Sequence, residues 1–109
     1  MPSSILGEIR NSVKVREIDS LDMGAAEVVY ATRIQKERFS DPAEYLKYSY
    51  EINSESMRNL RKDALLMHPL PRSGEIHPEV DSDVRAAYFR QEANGIPVRM
   101  ALLEKILCD

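Results

Sequence analysis

The sequence predicts an α/β fold built on a partial open parallel sheet of about three strands, and three observations carry that expectation. Two apolar runs of strand-forming residues, VVYA (28–31) and ALLM (64–67), read as strands covered on both faces. Segments with helical periodicity and capping signals separate and follow them. Strands alternating with helices imply parallel pairing through right-handed crossovers.

Taken in order, SSILGEIRN (3–11) reads as a short helix capped by Ser3 or Ser4, with Ile5, Leu6 and Ile9 on one face and Asn11 at a left-handed stop. VKVREI (13–18) alternates at Val13 and Val15 and predicts a half-buried strand, the third of the sheet. SLDMGAAE (20–27) suggests a turn of helix. The strongest local signal is DPAEYLKYSY (41–50). There Asp41 caps, Pro42 takes the first helical position and Glu44 completes a capping box. SESMRNLRKD (54–63) predicts a further helix, with Glu55 early and Arg58, Arg61 and Lys62 late to match the macrodipole. From Ser82 the pattern is helical to RMALLEKIL, with a kink or break expected at Gly95 and Pro97. The pattern divides the chain into a sheet-bearing part, 1–81, and a C-terminal helical segment, 82–109, ending in a long helix. Buried strands with so few neighbours imply a sheet that continues beyond this chain.

Composition narrows the function classes. The 109 residues suffice for one domain, and 43% hydrophobic with 30% charged residues is globular composition. Eighteen acidic against fifteen basic residues, a net charge of -3, argues against nucleic acid or an anionic membrane as partner. The single cysteine, Cys108, allows no internal disulfide and fits a reducing compartment. No apolar run reaches the ~20 residues of a membrane span, and the start lacks a secretory h-region, so a cytoplasmic protein is expected.

In open parallel sheets, ligands bind beyond the carboxyl ends of the strands. TRIQKER (32–38) follows the first apolar strand and HPLPR (68–72) the second, so both should open on one edge. Arg33 offers a planar donor fork matched to a carboxylate, with the Gln35 amide two residues on. Pro69 and Pro71 have no N–H, so the turn presents carbonyls, which suit an amine or amide. Carboxylate at one end and NH at the other is the outline of an amino acid.

Blander readings stand beside these. Arg33 by itself reads equally as a surface arginine paired with Glu37, and Lys36, Glu37 and Arg38 as a salt-bridged support. His68 is better read as orienting its loop than as an acid or base. His68, Glu75, His77 and Glu79 lack metal-ligand spacing, so no metal is expected. Cys108 has no activating partner. Tyr45, Tyr48 and Tyr50 read as packing or helix-surface residues, and Met57, Met67 and Met100 as core or packing residues.

YATRIQKERF together with MHPLPRSGEIHPEVDSDVRAAYFRQEANGIPVRMALL resembles the C-terminal part of aspartate carbamoyltransferase over essentially the whole chain. Two separate motifs in the right order make the resemblance specific. Pro69 points to the aspartate branch, since the ornithine enzymes are expected to carry cysteine there. The resemblance implies that residues 1–81 are the second half of the family's Rossmann-like aspartate-binding domain. It also implies carbamoyl transfer from carbamoyl phosphate to the amine of L-aspartate, a step of pyrimidine biosynthesis, without metal or cofactor. It implies that Arg33 and Gln35 bind aspartate, that the carbonyls of Leu70 and Pro71 hold the carbamoyl NH2 and the incoming amine, and that His68 and Arg72 orient the turn.

The family's phosphate-binding Ser-Thr-Arg-Thr segment and its first-domain His-Pro-x-Gln segment are not in this sequence. The resemblance therefore implies a missing N-terminal domain on which the C-terminal helix would pack, and a chain inactive alone. Leu102, Leu103 and Ile106 are then expected to be exposed or to mediate self-association, and a family trimer is possible. The alternative is a stand-alone short protein that binds a dicarboxylate or a transferase subunit without catalysis.

Overall fold

A computed structural model describes residues 3–18 and 20–108, apart from the side chains of residues 3, 4 and 8. The described elements are helix α1 (Ser3–Arg10), strand β1 (Val28–Tyr30), helices α2 (Pro42–Tyr48) and α3 (Ser54–Asn59), strand β2 (Leu65–Met67), and helices α4 (Tyr88–Ala93) and α5 (Gly95–Cys108). Short 3-10 turns cover Lys36–Arg38 and Pro78–Ser82. The fold is α/β, with a long C-terminal helix. β1 and β2 pair in parallel, Val28 with Leu65 and Tyr30 with Met67, so their carboxyl ends lie together.

The period-2 alternation of a strand sorts the side chains of β2 and its flanks. Ala64, Leu66 and His68 share one face and all three are buried. Ile52, Ile76, Val80 and Tyr88 close the same core. Burial of such side chains contributes roughly 1.5–3 kcal/mol each. β1 uses one face only: Val29 packs on the core, whereas Val28 and Tyr30 are exposed. The expectation of coverage on both faces fails for β1 and for Leu65 of β2, whose outward side chains are exposed among the described residues.

The third strand is also corrected. Residues 13–18 form no strand, and Val13 is exposed, because no neighbouring backbone supplies ladder partners. The far edge of β2 pairs instead at a single residue, Ala86, through Leu66 N–H to Arg85 C=O and Ala87 N–H to Leu66 C=O, both 2.8 Å. Residues 83–87 are thus not helical, because this backbone serves the sheet before α4 begins at Tyr88.

Smaller corrections follow the hydrogen bonds. Asn11 has no positive φ; α1 is closed by the Ser12 and Val13 N–H groups on the Ile9 carbonyl. The expected Ser3 or Ser4 cap lies outside the described side chains, and of its shared face Leu6 is buried while Ile5 is exposed. Residues 20–27 make a turn instead of helix, closed by Ala26 N–H to Met23 C=O with Asp22 Oδ1 accepting from Gly24 N–H. Asp41 caps α2 through the Ala43 N–H at 2.8 Å, with Pro42 in the first turn. α3 stops at Asn59, so Arg61 and Lys62 lie past it; Asn53 supplies its cap. The break near Gly95 falls between α4 and α5, and Pro97 sits in the first turn of α5, where no helical N–H is required of it. No residue of α5 is buried, so Leu102, Leu103, Ile106 and also Met100 are exposed.

Candidate functional site

The parallel register brings Thr32–Arg38 and His68–Arg72 to one edge of the sheet. Each loop is fixed by side chains behind it. On the β1 side, Tyr50 Oη accepts the Thr32 N–H at 3.0 Å and donates to the Thr32 carbonyl at 2.8 Å, which clamps the strand exit just before Arg33. Burial raises the Tyr50 pKa despite the Thr32 N–H, and the nearby Glu75 charge adds to the rise. The sequence alone reads Tyr50 as a packing or helix-surface residue; it lies just past α2, which frees its ring to turn back.

Arg33 is 40% exposed at its side chain and reaches both Glu37 oxygens, at 3.0 and 3.1 Å. The surface pairing with Glu37 is therefore present. Glu37 is held below the usual carboxylate range by its own backbone N–H and then by Arg33. Gln35 is exposed and begins the 3-10 turn by accepting Arg38 N–H on its carbonyl. Lys36 lies 4.9 Å from the centre of the Tyr45 ring.

On the β2 side, buried His68 is bonded at both ring nitrogens. Nδ1 accepts the Leu70 N–H at 2.9 Å, so the proton sits on Nε2 and is donated to Glu75 Oε1 at 2.7 Å. The other Glu75 oxygen accepts Ser73 N–H at 2.9 Å. Burial alone would raise the Glu75 pKa, but its own and the Ser73 backbone N–H, with His68, leave it lowered. Gly74, at φ +105°, lets the chain turn back for this contact. Leu70 adopts φ +47°, a strained conformation for a branched residue, and the Leu70–Pro71 bond is cis. Among the described residues, neither the Leu70 nor the Pro71 carbonyl accepts a hydrogen bond.

Arg72 turns away from the loop edge. Its guanidinium pairs through both terminal nitrogens with Asp81 and donates to Tyr88 Oη at 3.3 Å, and Tyr88 Oη also bonds Asp81. Arg72 accordingly holds Asp81 below the usual range. Burial and Asp81 push Tyr88 up to about 12, against the opposing pull of Arg72.

Two cavities flank the loops. One of about 420 Å³ is lined by Ile34, Lys36, Tyr45, Tyr50, Ser73 and Glu75, among others. The other, about 290 Å³, is lined by His68, Pro69, Gln91, Glu92, Gly95 and Arg99. Neither wall includes Arg33, Gln35, Leu70 or Pro71. The two motifs thus share one sheet edge, with Arg33 paired to Glu37 and the Leu70 and Pro71 carbonyls without a hydrogen bond among the described residues. Among the described residues no group of three or more potential metal ligands occurs, and Cys108 is exposed.

Residues 5–106 match the family of aspartate/ornithine carbamoyltransferases over their Asp/Orn binding domain. The chain belongs to this family. It is 48% identical to the aspartate carbamoyltransferase catalytic subunit of Thermoplasma volcanium, a match that covers 100% of this chain and 37% of that subunit. Against the Thermococcus kodakarensis catalytic subunit the identity is 51%, over 94% of this chain and 35% of the relative. The chain therefore spans a little over a third of the length of the curated family members it matches.

Solved family structures superpose closely. The catalytic subunit of M. jannaschii aspartate transcarbamoylase gives a TM-score of 0.86 at 44% identity, covering 96% of this chain and 36% of that one. The Trypanosoma cruzi enzyme in complex with carbamoyl phosphate and aspartate gives 0.77 at 36% identity, over 94% of this chain and 36% of that one. No helix among the described residues is long and apolar enough to cross a membrane.

Proposed function

We propose that this chain supplies the aspartate-side portion of a cytoplasmic aspartate carbamoyltransferase catalytic subunit. In the complete subunit the amine of L-aspartate attacks the carbonyl carbon of carbamoyl phosphate. The tetrahedral species collapses with loss of phosphate and yields N-carbamoyl-L-aspartate, a step of pyrimidine biosynthesis. The reading is supported above all by the parallel register, which sets TRIQ and HPLPR on one sheet edge.

In this reading Arg33 takes an aspartate carboxylate through its planar fork, with Gln35 assisting, and exchanges its present Glu37 partner for the substrate. The carbonyls of Leu70 and Pro71 accept from the carbamoyl NH2 and from the incoming amine. His68 and Arg72 orient the turn by the bonds described above. Catalysis would then rest on positioning and electrostatics in a site shared with the N-terminal domain. Residues 1–81 would form the second half of the aspartate-binding domain, and 82–109 the segment whose α5 packs on that N-terminal domain. A catalytic trimer fits the same scheme, with no metal or organic cofactor.

Carbamoyl-aspartate formation is the test. The complete subunit carrying this segment is expected to turn over carbamoyl phosphate and L-aspartate, and the 109-residue chain alone is not. A complete subunit that uses another amine, or none, would overturn the reading.

A further inference from the structure

We propose that Gln91 is the positioning residue that sets the aspartate-side loop and the carbamoyl-side turn at their working separation, an inference that rests on the function proposed above. A single primary amide joins the two loops. Its Oε1 accepts the His68 backbone N–H at 3.0 Å, and its Nε2 donates to Tyr30 Oη at 3.0 Å. Tyr30 is the last residue of β1 and His68 the first beyond β2, so one side chain spans both strand ends.

The strand geometry explains why a side chain is needed there. Backbone N–H groups along β2 point alternately to its two neighbours: Leu65 donates to Glu27 in the β1 chain, and Leu66 donates to Arg85 on the other edge. By the same alternation the His68 N–H points to the far edge. There the chain has already turned into α4, whose first residues are committed to helical bonds such as Gln91 N–H to Ala87 C=O at 2.8 Å. The Gln91 amide replaces the missing backbone acceptor, and its second end reaches back over the strand ends to Tyr30. α4 is a firm base for this reach, because the Tyr88 ring at its start is fully buried and its hydroxyl is bonded to Asp81 and Arg72.

Partner chemistry fixes the amide orientation, since the backbone N–H needs the oxygen and leaves the NH2 for the phenol. Length matters as much. Asparagine is shorter by one C–C bond, about 1.5 Å, and cannot keep both contacts. Glutamate keeps the length and accepts from both the His68 N–H and the Tyr30 hydroxyl. The second cavity is lined by both His68 and Gln91, so its wall shifts with the amide.

The experiment is steady-state kinetics on the complete subunit with Gln91→Asn, Gln91→Met, Gln91→Glu and Tyr30→Phe. Loss of registration between the two loops should raise the KM for aspartate about tenfold in Gln91→Asn and Gln91→Met and lower kcat. Gln91→Glu should stay within about twofold of the parent, since both acceptor contacts survive. Tyr30→Phe removes one end only, and Gln91→Met in that background should cost less than it does alone. KM does not depend on the fraction of folded enzyme, so a purely structural role lowers yield or melting temperature without moving it. An active parent whose Gln91→Asn and Gln91→Met forms keep the aspartate KM overturns the inference alone. A parent that makes no carbamoyl-aspartate overturns the proposed function, and this inference with it.

Discussion

His68 and Leu70 are joined through Nδ1 of the imidazole and the Leu70 N–H at 2.9 Å, so the orientation of a buried ring sets a backbone at φ +47°. The strain of that conformation, of order 1–3 kcal/mol, persists only where neighbours over-determine it. Here the determination runs through the tautomer. Glu75 can accept but not donate, which keeps the proton on Nε2 and leaves Nδ1 free to accept.

Glu75→Gln should break this chain of preferences. The amide has one accepting atom for two donors, the buried His68 Nε2–H and the part-buried Ser73 N–H, so one of them faces an NH2 group. A tautomer switch would only move the clash to Leu70 N–H. We expect a loss of about 1–3 kcal/mol in denaturant unfolding, as for a buried polar group left unpaired. The ring 15N shifts of His68 should also lose the pure Nε2–H signature. An unchanged midpoint with an unchanged tautomer would show that Glu75 has no such hold.

Much of this arrangement could be read from the residues, and the unread part has a physical pattern. ALLM and DPAEY announce β2 and the α2 cap, because apolar runs and Asp-Pro caps are local signals. TRIQ and HPLPR are legible as edge loops because both follow strands. Tyr50, Glu75 and Gln91 were not legible as supports. Their partners Thr32, His68 and Tyr30 lie 18, 7 and 61 positions away, and only tertiary packing brings them together. The false third strand at Val13 and Val15 fails for the converse reason. Alternation is local, but a strand also needs a neighbour, and among the described residues no backbone pairs with residues 13–18.

Arg33→Ala should separate function from stability. Its ion pair with Glu37 is exposed and solvent-screened, so unfolding should hardly change. Carbamoyl-aspartate synthesis by the complete subunit should fall at least about a hundredfold at millimolar aspartate, because a bidentate carboxylate contact has no substitute nearby. Near-normal turnover would remove Arg33 from the site.

The Asp41 cap is a stability element outside the loops. Asp41→Ala removes the acceptor of the Ala43 N–H and should cost about 1 kcal/mol. Because α2 leads into Tyr50, fraying should also speed hydrogen exchange of the Thr32 amide, whose acceptor is the Tyr50 hydroxyl. An unaltered Thr32 exchange rate would mean that Tyr50 is held by the core alone.

Tyr88 should make the fold sensitive to alkali. Its ordinary pKa is 10.0 and its folded value is raised to about 12, by burial first and by Asp81 second. A group whose folded pKa is raised contributes stability that is complete below the unfolded pKa and lost as pH rises through the folded one. The window is therefore pH 10 to about 12. Tyr88→Phe has no proton to lose there. At pH 8 the variant should be less stable by about 1 kcal/mol, the net worth of an ordinary hydrogen bond, since Asp81 and Arg72 remain paired with each other. Above pH 10 the unsubstituted chain should lose stability faster than the variant, so the two denaturation midpoints converge. The comparison cancels lysine and other tyrosine titrations common to both proteins. A gap that stays constant from pH 8 to 12 would show that the Tyr88 phenol ionises as easily in the fold as in water.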